Sequence, residues 1–338
     1  MSKNIEVNRK EVVQKTTDIL VNSGLRADEV EACLRSWLYA HDSEKFSHGL
    51  DRLPWLLKVL QKGEIIPGND PTISKDGQVI RIEGNRSLGY LAIDNAVAQA
   101  IEIAKSQNIS TVSISDCYPT GCMGQYTEEM TNADLIGFVV SSSPARVSAY
   151  GTTNAILGTL GHSFGFPSAG DMPYIYDSSV SSISHGQIQY LHKIGDALPA
   201  GYVYTKEGSP TEKTADVINS SGVFEGVISI AGERFAHKYS GLAGSLELLC
   251  RLALMNISED KKISGYSFIL ALNPAMFGEV KQYKHLVAKL QAEIKAGRKA
   301  EGIDEIHFAG EKSFNARRLN SAKETILISE ETFNILYK

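Results

Sequence analysis

Apolar residues recur at helical spacing through the first forty positions. Val12, Val13, Ile19, Leu20, Val30, Cys33, Leu34 and Leu38 fall on repeating faces of residues 9–41, a periodicity that predicts amphipathic helix. Asn22-Ser23-Gly24 interrupts it and divides it into two helices. Trp55, Leu56, Val59 and Leu60 resume the pattern before a turn or linker at Pro67-Gly68-Asn69-Asp70-Pro71. The period then shortens. Val79–Gly84 reads as a strand ending in a turn, and Thr111–Ile114 and Ile136–Val140 as buried strands. Helices are predicted at Ala92–Ser106 and Tyr126–Asn132. Strand, helix and strand in succession predict an α/β fold.

The second half is less regular. Residues 141–186 are rich in Gly, Ser, Thr and Pro and read as loops, whose backbone N–H groups can surround a phosphate. Beyond them the pattern predicts strands at Val223–Ile230 and Tyr266–Leu272 and a short one at Ile303–His307. Helices are predicted at Leu242–Met255, Val280–Ala296 and Glu330–Tyr337. No G-x-G-x-x-G follows a strand into a helix, so the usual dinucleotide fingerprint is absent.

Composition narrows the classes. A chain of 338 residues can form two lobes, or one large domain with a helical appendage. The net charge of −5 gives no basic footprint for nucleic acid. No apolar run is long enough to span a bilayer, and Met1-Ser2-Lys3-Asn4-Ile5-Glu6 is polar, without a signal-peptide core. Among the four cysteines only Cys117 and Cys122 are close, and their spacing is neither a redox pair nor half of a zinc site. The expectation is free thiols in a reducing cytoplasm and no metal.

Candidate chemistry concentrates in Phe46-Ser47-His48-Gly49-Leu50-Asp51-Arg52-Leu53-Pro54. His48 can carry a proton near neutral pH, Ser47 can orient a neighbour, and Arg52 can grip a carboxylate through two parallel hydrogen bonds. In a helix Arg52 would lie on the same face as His48, four residues on. The set suits reduction of a 2-oxo or 2-imino acid, with the cation on the carboxylate and the imidazole protonating the adjacent oxygen or nitrogen. The plainer reading is a capping His and a surface Arg at a helix end.

Ser47-His48-Gly49-x-x-Arg52-Leu53-Pro54, followed by Leu60-Gln61-Lys62-Gly63-Glu64-Ile65-Ile66-Pro67, resembles the malate/L-lactate dehydrogenase family that lacks a Rossmann fold. That family includes ureidoglycolate and sulfolactate dehydrogenases and the cyclic-imine reductase acting on piperideine-2-carboxylate. Gly158-Thr159 stands where the family has Gly-Thr-Asn-Pro, and Asp177-Ser178-Ser179 where it has Asp-Met-Ala-Thr-Ser. Lys238-Tyr239-Ser240-Gly241-Leu242 resembles Lys-Gly-Tyr-Gly-Leu before a helix, and Ala309-Gly310-Glu311 resembles Pro-Gly-Glu.

The resemblance implies a mixed-sheet, non-Rossmann nucleotide-binding domain over 76–304 and a helical domain built from both chain ends, 1–75 with 305–338. It implies NADH or NADPH as cofactor, a small carboxylate-bearing substrate and a homodimer. His48, helped by Ser47, would serve catalysis, and Arg52 and Thr159 would bind substrate. Gly121, Ser143, Asp177, Ser178, Ser179, Lys238 and Glu311 would line the cofactor. Plainer roles exist for several: a turn for Ser143, a helix cap for Asp177, a surface lysine for Lys238 and a solvated charge for Glu311.

Three positions depart from the family pattern. Pro119 stands where the family's Ser-Asn-His-Phe-Gly block has a histidine, which serves as acid/base in some members. Leu160 replaces the amide of Gly-Thr-Asn-Pro, and Tyr239 the first glycine of Lys-Gly-Tyr-Gly. His162, His185, His192 and His237, with Arg146, are the further polar residues near these blocks. The expected activity is an NAD(P)H-dependent reductase or dehydrogenase. The departures keep two alternatives open, a non-redox enzyme and a cofactor-free binding protein on the same fold.

Overall fold

The computed structural model describes residues 4–232, 235–255, 257–258 and 263–338. Met1–Lys3, the start of the polar N-terminal segment, lie outside them. Strand β1 (Asn4–Asn8) leads into α1 (Arg9–Asn22) and α2 (Ala27–Asp42), and α3 (Leu53–Gln61) follows the His48 segment. Next come β2 (Thr72–Asp76), β3 (Val79–Glu83), α4 (Gly89–Gln107), β4 (Ile109–Ser115), α5 (Met123–Asn132) and β5 (Ile136–Ser142). Then β6 (Gly161–Phe166), β7 (Tyr174–Ser178), α6 (His185–Ile194), β8 (Val203–Tyr204), β9 (Val227–Ile228) and α7 (Ala236–Arg251) run to β10 (Tyr266–Leu272). The chain closes with α8 (Val280–Lys295), α9 (Glu311–Asn320), β11 (Thr325–Ser329) and α10 (Glu330–Tyr337).

The main sheet has seven strands in the order β2-β3-β4-β10-β5-β6-β7. Only β3 and β4 pair in parallel, and every other ladder in it is antiparallel. A doubly wound nucleotide fold needs successive parallel crossovers, so this sheet is mixed and non-Rossmann. One face packs its apolar side chains against α4 and α5, with Ile80, Val112, Val139 and Ile269 meeting Ile93, Val97, Tyr126 and Met130. The other face meets α6, α7 and the intervening loops through Phe138, Val140, Leu160, Ile188, Ala243 and Leu246. A third core joins the two chain ends: Val12, Leu20, Cys33, Trp37, Leu50, Leu53 and Leu56 pack with Ile326, Ile328 and Leu336. Strands β1 and β11 pair antiparallel beside it.

Four expectations change. The 141–186 segment contains β6 and β7, not loops alone. Gly137 and Gly165 leave room for α5 to lie close on the sheet: a Cβ at Gly165 would come 2.8 Å from Thr127, and one at Gly137 2.6 Å from Met130 Sδ. Ladder pairing and this packing override the low strand propensity of glycine and serine. Val223–Ile230 narrows to the two-residue β9, since Ile228 N turns aside to donate to Arg146 O at 2.8 Å. Ile303–His307 is an irregular, largely exposed segment; its alternating apolar residues pair with no strand among the described residues. The helix expected from Leu242 begins at Ala236, so the Lys238–Leu242 block lies within its first two turns.

Candidate active site

The His48 segment is not α-helical. Two 3₁₀ turns, Phe46–His48 and Leu50–Arg52, flank Gly49, whose backbone is extended. The same-face helical relation expected for His48 and Arg52 therefore does not hold. Gly49 sets this geometry, because a Cβ there would lie 2.8 Å from His41 Nδ1 and 2.9 Å from its Cβ. The turn is pressed onto α2 as only glycine permits. Gly49→Ala should cost about 1–3 kcal/mol through overpacking and move the His48 ring resonances. Urea unfolding with NMR of the folded variant checks this, and an unchanged midpoint would refute it.

Ser47 Oγ lies 3.1 Å from His48 Nδ1. Lys45, one turn back, pairs with Asp177 of β7, its Nζ 2.5 Å from Oδ2. Burial opposes the Lys45 ammonium, but Asp177 outweighs it and the pKa rises. Burial, followed by the Arg52 and Lys45 charges, pushes His48 down to about 4 while Asp177 pulls the other way. His48 is thus a neutral imidazole at neutral pH. Asp177 is held by a lysine and is not a helix cap.

Arg52 sits in an aromatic frame. Its guanidinium lies 4.0 Å above the Trp55 ring centroid, and Trp55 meets Tyr118 edge-to-face at 5.4 Å. The hydroxyls of Tyr118 and Tyr90 turn toward Arg52, and Tyr90 Oη also accepts Trp37 Nε1–H at 3.0 Å. Among the described residues Arg52 pairs with no carboxylate. A stacked, half-buried guanidinium without a counter-ion is poised for an incoming one. Tyr118 precedes Pro119 through a cis peptide bond; the position matched to the family histidine therefore offers Arg52 a neighbouring phenol and no acid/base group.

The expected cofactor residues fall into separate groups. Ser143 and Thr159 meet: Thr159 N–H donates to Ser143 Oγ at 3.1 Å, and the two hydroxyl oxygens are 3.4 Å apart. Gly158 makes this possible, since a Cβ there would lie 2.3 Å from Ser142 Oγ. Val180 N–H donates to Thr159 O at 3.3 Å, which brings the Ser178-Ser179 segment against the same loop. Ser179 Oγ is 3.0 Å from Ser181 Oγ. Together they form a hydroxyl-rich wall. Leu160 holds φ +48°, a left-handed conformation costly for leucine. Its carbonyl lies 2.9 Å from His162 Nδ1, and His162 Nε2 is buried with no partner among the described residues.

Three candidates lie apart from that wall. Gly121, at φ +71°, packs against Ser36 and Tyr90. Lys238 is exposed near the start of α7, its ammonium 5.4 Å from the Phe235 ring centroid. Glu311 is buried and engaged: Lys295 Nζ lies 2.8 Å from Oε1 and His307 Nδ1 3.3 Å from Oε2. Glu305, His307 and Glu311 have the spacing of a cation site, but the Lys295 ammonium bridges Glu305 and Glu311 and supplies that positive charge.

Lys45, Tyr90 and Tyr118 escaped the motif-based reading, and His185 and Arg146 entered it only as further polar residues near its blocks. Gly186 packs on the Ser47–His48 turn, since a Cβ there would lie 2.8 Å from Ser47 Cβ, and this brings His185 beside it. His185 is pushed down to about 3 by burial and then by Arg146 and Arg52. Lys45 and Asp177 also edge a cleft of about 490 Å³, partly open to solvent, shared with Tyr39, Glu128, Phe314 and Arg317.

The sequence model of the malate/L-lactate dehydrogenase family matches residues 7–336. The chain belongs to that family. Among curated members, the (2R)-3-sulfolactate dehydrogenase (NADP(+)) of Chromohalobacter salexigens is 28% identical over 183 residues, 54% of this chain and 55% of that one. The Delta(1)-pyrroline-2-carboxylate reductase of Ancylobacter novellus is 25% identical over 82% of each chain. The malate dehydrogenase structure from Entamoeba histolytica superposes with a TM-score of 0.89 at 20% identity, covering 99% of this chain and 96% of that one. The mixed, non-Rossmann sheet is thus the fold of malate/L-lactate dehydrogenase relatives. Among the described residues no helix is long and apolar enough to cross a membrane.

Proposed function

We propose that this malate/L-lactate dehydrogenase family member interconverts a 2-oxo acid and its 2-hydroxy acid, or a 2-imino carboxylate and its amine, with a nicotinamide nucleotide. The observation that carries the reading is the pairing of His48, held by Ser47, with a guanidinium that has aromatic neighbours but no carboxylate among the described residues. Arg52 grips the substrate carboxylate in a bidentate fork. Ser47 engages Nδ1, which leaves His48 Nε2 to give the proton in reduction and to take it in oxidation. Lys45 neutralises Asp177, so the carboxylate that acts on His48 does not repel the anion.

The hydroxyl-rich wall suits the nucleotide. Ser143, Thr159, Ser178 and Ser179 offer donors to ribose and phosphate oxygens, and His162 Nε2 is a buried acceptor awaiting an N–H. Once bound there, the nicotinamide supplies or accepts the hydride at the carbon of C=O or C=N. Lys238 is proposed to reach a phosphate from the rim. Gly121 is proposed to shape the site by letting the loop approach Tyr90, and Glu311 to fix the segment beside β7. The enzyme is also proposed to be a cytoplasmic homodimer; four free, buried cysteines and the exposed Phe235, Tyr239, Leu242 and Leu252 of the α7 region support that reading.

Titration of the purified protein with NADH and with NADPH, by calorimetry or nicotinamide fluorescence, tests the proposal. Saturable binding to one or both is expected, followed by stoichiometric oxidation when a 2-oxo or cyclic 2-imino acid is added. Absence of binding to both forms by the folded protein would refute it.

A further inference from the structure

We propose that the cleft between the end of α3 and the turn after β3 is a second ligand site, built for a small zwitterionic amino acid and coupled to Arg52 through Tyr118. The site stands apart from the dehydrogenase reading; only the coupling rests on the role given above to Arg52.

The cleft measures about 280 Å³ and is partly open to solvent. Buried Val59 and Ile65 give it apolar lining, and Tyr118 and Ser264 close another side. Backbone hydrogen bonds hold its walls together. Glu64 N donates to Val59 O at 3.0 Å, Ile66 N to Arg86 O at 2.9 Å and Arg86 N to Asp116 O at 3.3 Å. Asp116 also accepts a hydrogen bond from Ser264 Oγ at 3.1 Å. The Arg86 guanidinium lies against the end of α3, since a Cβ at Gly63 would come 3.8 Å from one of its nitrogens. Glu64, the next residue, stands in the same wall.

The polar groups of the lining lack partners. Arg86 pairs with no carboxylate among the described residues. Ser87 is 4% exposed and lines the cleft, and its buried hydroxyl has no partner among the described residues. A buried hydroxyl left unmet is destabilising and calls for an occupant. Glu64 meets only Lys62, at 3.8 Å with both side chains more than half exposed, a contact that contributes little. A guanidinium with a neighbouring hydroxyl receives a carboxylate. Glu64 receives an ammonium, and the apolar lining takes a short side chain. An α-amino acid uses all of these groups at once. An anion alone leaves Glu64 facing its charge, and an amine alone leaves Arg86 unmatched. Tyr118 joins the cleft to the substrate site. Its ring meets Trp55 edge-to-face at 5.4 Å, and Trp55 carries the Arg52 guanidinium 4.0 Å from its centroid. A ligand packed on Tyr118 steadies that stack and pre-organises Arg52 for the substrate carboxylate.

The test is calorimetric titration of the full chain with L-alanine, propionate and ethylamine, which present both charges, the anion alone and the cation alone. Each titration is run with and without saturating 2-oxobutyrate, for wild type, Arg86→Gln and Glu64→Gln. With 2-oxobutyrate on Arg52, L-alanine is expected to bind the wild type, and propionate and ethylamine about tenfold more weakly or worse. Arg86→Gln should weaken alanine about ten- to hundredfold, and Glu64→Gln about two- to fivefold. Both variants should keep the wild-type kcat. Alanine should lower the substrate KM of the wild type and leave that of Arg86→Gln unchanged. By reciprocity 2-oxobutyrate should strengthen alanine binding; displacement would put the alanine at Arg52 and overturn the second site. No alanine binding by the wild type, propionate binding as tight as alanine, or full affinity in Arg86→Gln would overturn it too. Alanine binding by a protein that takes neither NADH nor NADPH would refute the dehydrogenase reading and leave the cleft standing.

Discussion

Replacing His48 by glutamine should lower kcat by about 10²–10⁴-fold, the usual contribution of a positioned proton donor, with KM little changed. The pH profile makes the expectation specific. His48 is held near pH 4 by burial and by the Arg52 charge, so imidazolium is scarce at neutral pH. In the reductive direction, which needs the protonated form, kcat/KM should fall about tenfold per pH unit from pH 5 to 8. In the oxidative direction the neutral base is available throughout that range. A reductive plateau extending up to pH 6 or 7 would place His48 at its ordinary value, and a fully active His48→Gln would remove it from the chemistry.

Arg52→Lys should be almost as damaging as Arg52→Ala, which is expected to cost about 2–5 kcal/mol of substrate binding. The Trp55 ring and the Tyr90 and Tyr118 hydroxyls suit a flat, five-donor cation. A lysine ammonium cannot stack in the same way or offer a parallel fork. Arg52→Ala has a second signature. It removes one of the charges that depress His48, so the His48 pKa should rise toward 6.5, visible by NMR titration and as a shifted reductive limb. If lysine supports near-normal KM, the site uses Arg52 as a simple charge and the bidentate reading is wrong.

The parts of this molecule that could be read from sequence are those that carry their own reason. Helices α4, α8 and α10 show apolar spacing over whole turns, and β10 alternates buried and half-buried residues along its length. Strand β2 is exposed at every position, and β1 has no buried residue. Their pairing comes from a partner, which for β1 lies at the other end of the chain. Strand β6 is hidden by Gly161, Ser163 and Gly165, small residues whose purpose, closeness to α5, exists only once α5 is in place. The site divides the same way. Ser47, His48 and Arg52 are adjacent and form a recognisable phrase. Lys45, Tyr118 and His185 join the motif only through the pairing of Lys45 with β7, the Tyr118 hydroxyl at Arg52 and the contact of Gly186 with Ser47. His48 and Arg52 do not share a helix because Gly49 answers to His41, a contact that no local periodicity records.

Asp51, between the two residues of the motif that matter most, accepts hydrogen bonds from Ser329 N–H at 3.0 Å and Thr332 Oγ1 at 2.7 Å. The anchor of the His48–Arg52 turn is thus 278 residues downstream of it. During synthesis at about 5–20 residues per second, the motif leaves the ribosome roughly 15–60 s before its support does. Within that interval β5, β6 and β7 can pair first and β10 can then close the main sheet between β4 and β5, all before Ser329 is made, while His48 and Arg52 wait on an unfinished layer. A nascent chain of this enzyme is therefore folded through its middle before it is competent at its beginning.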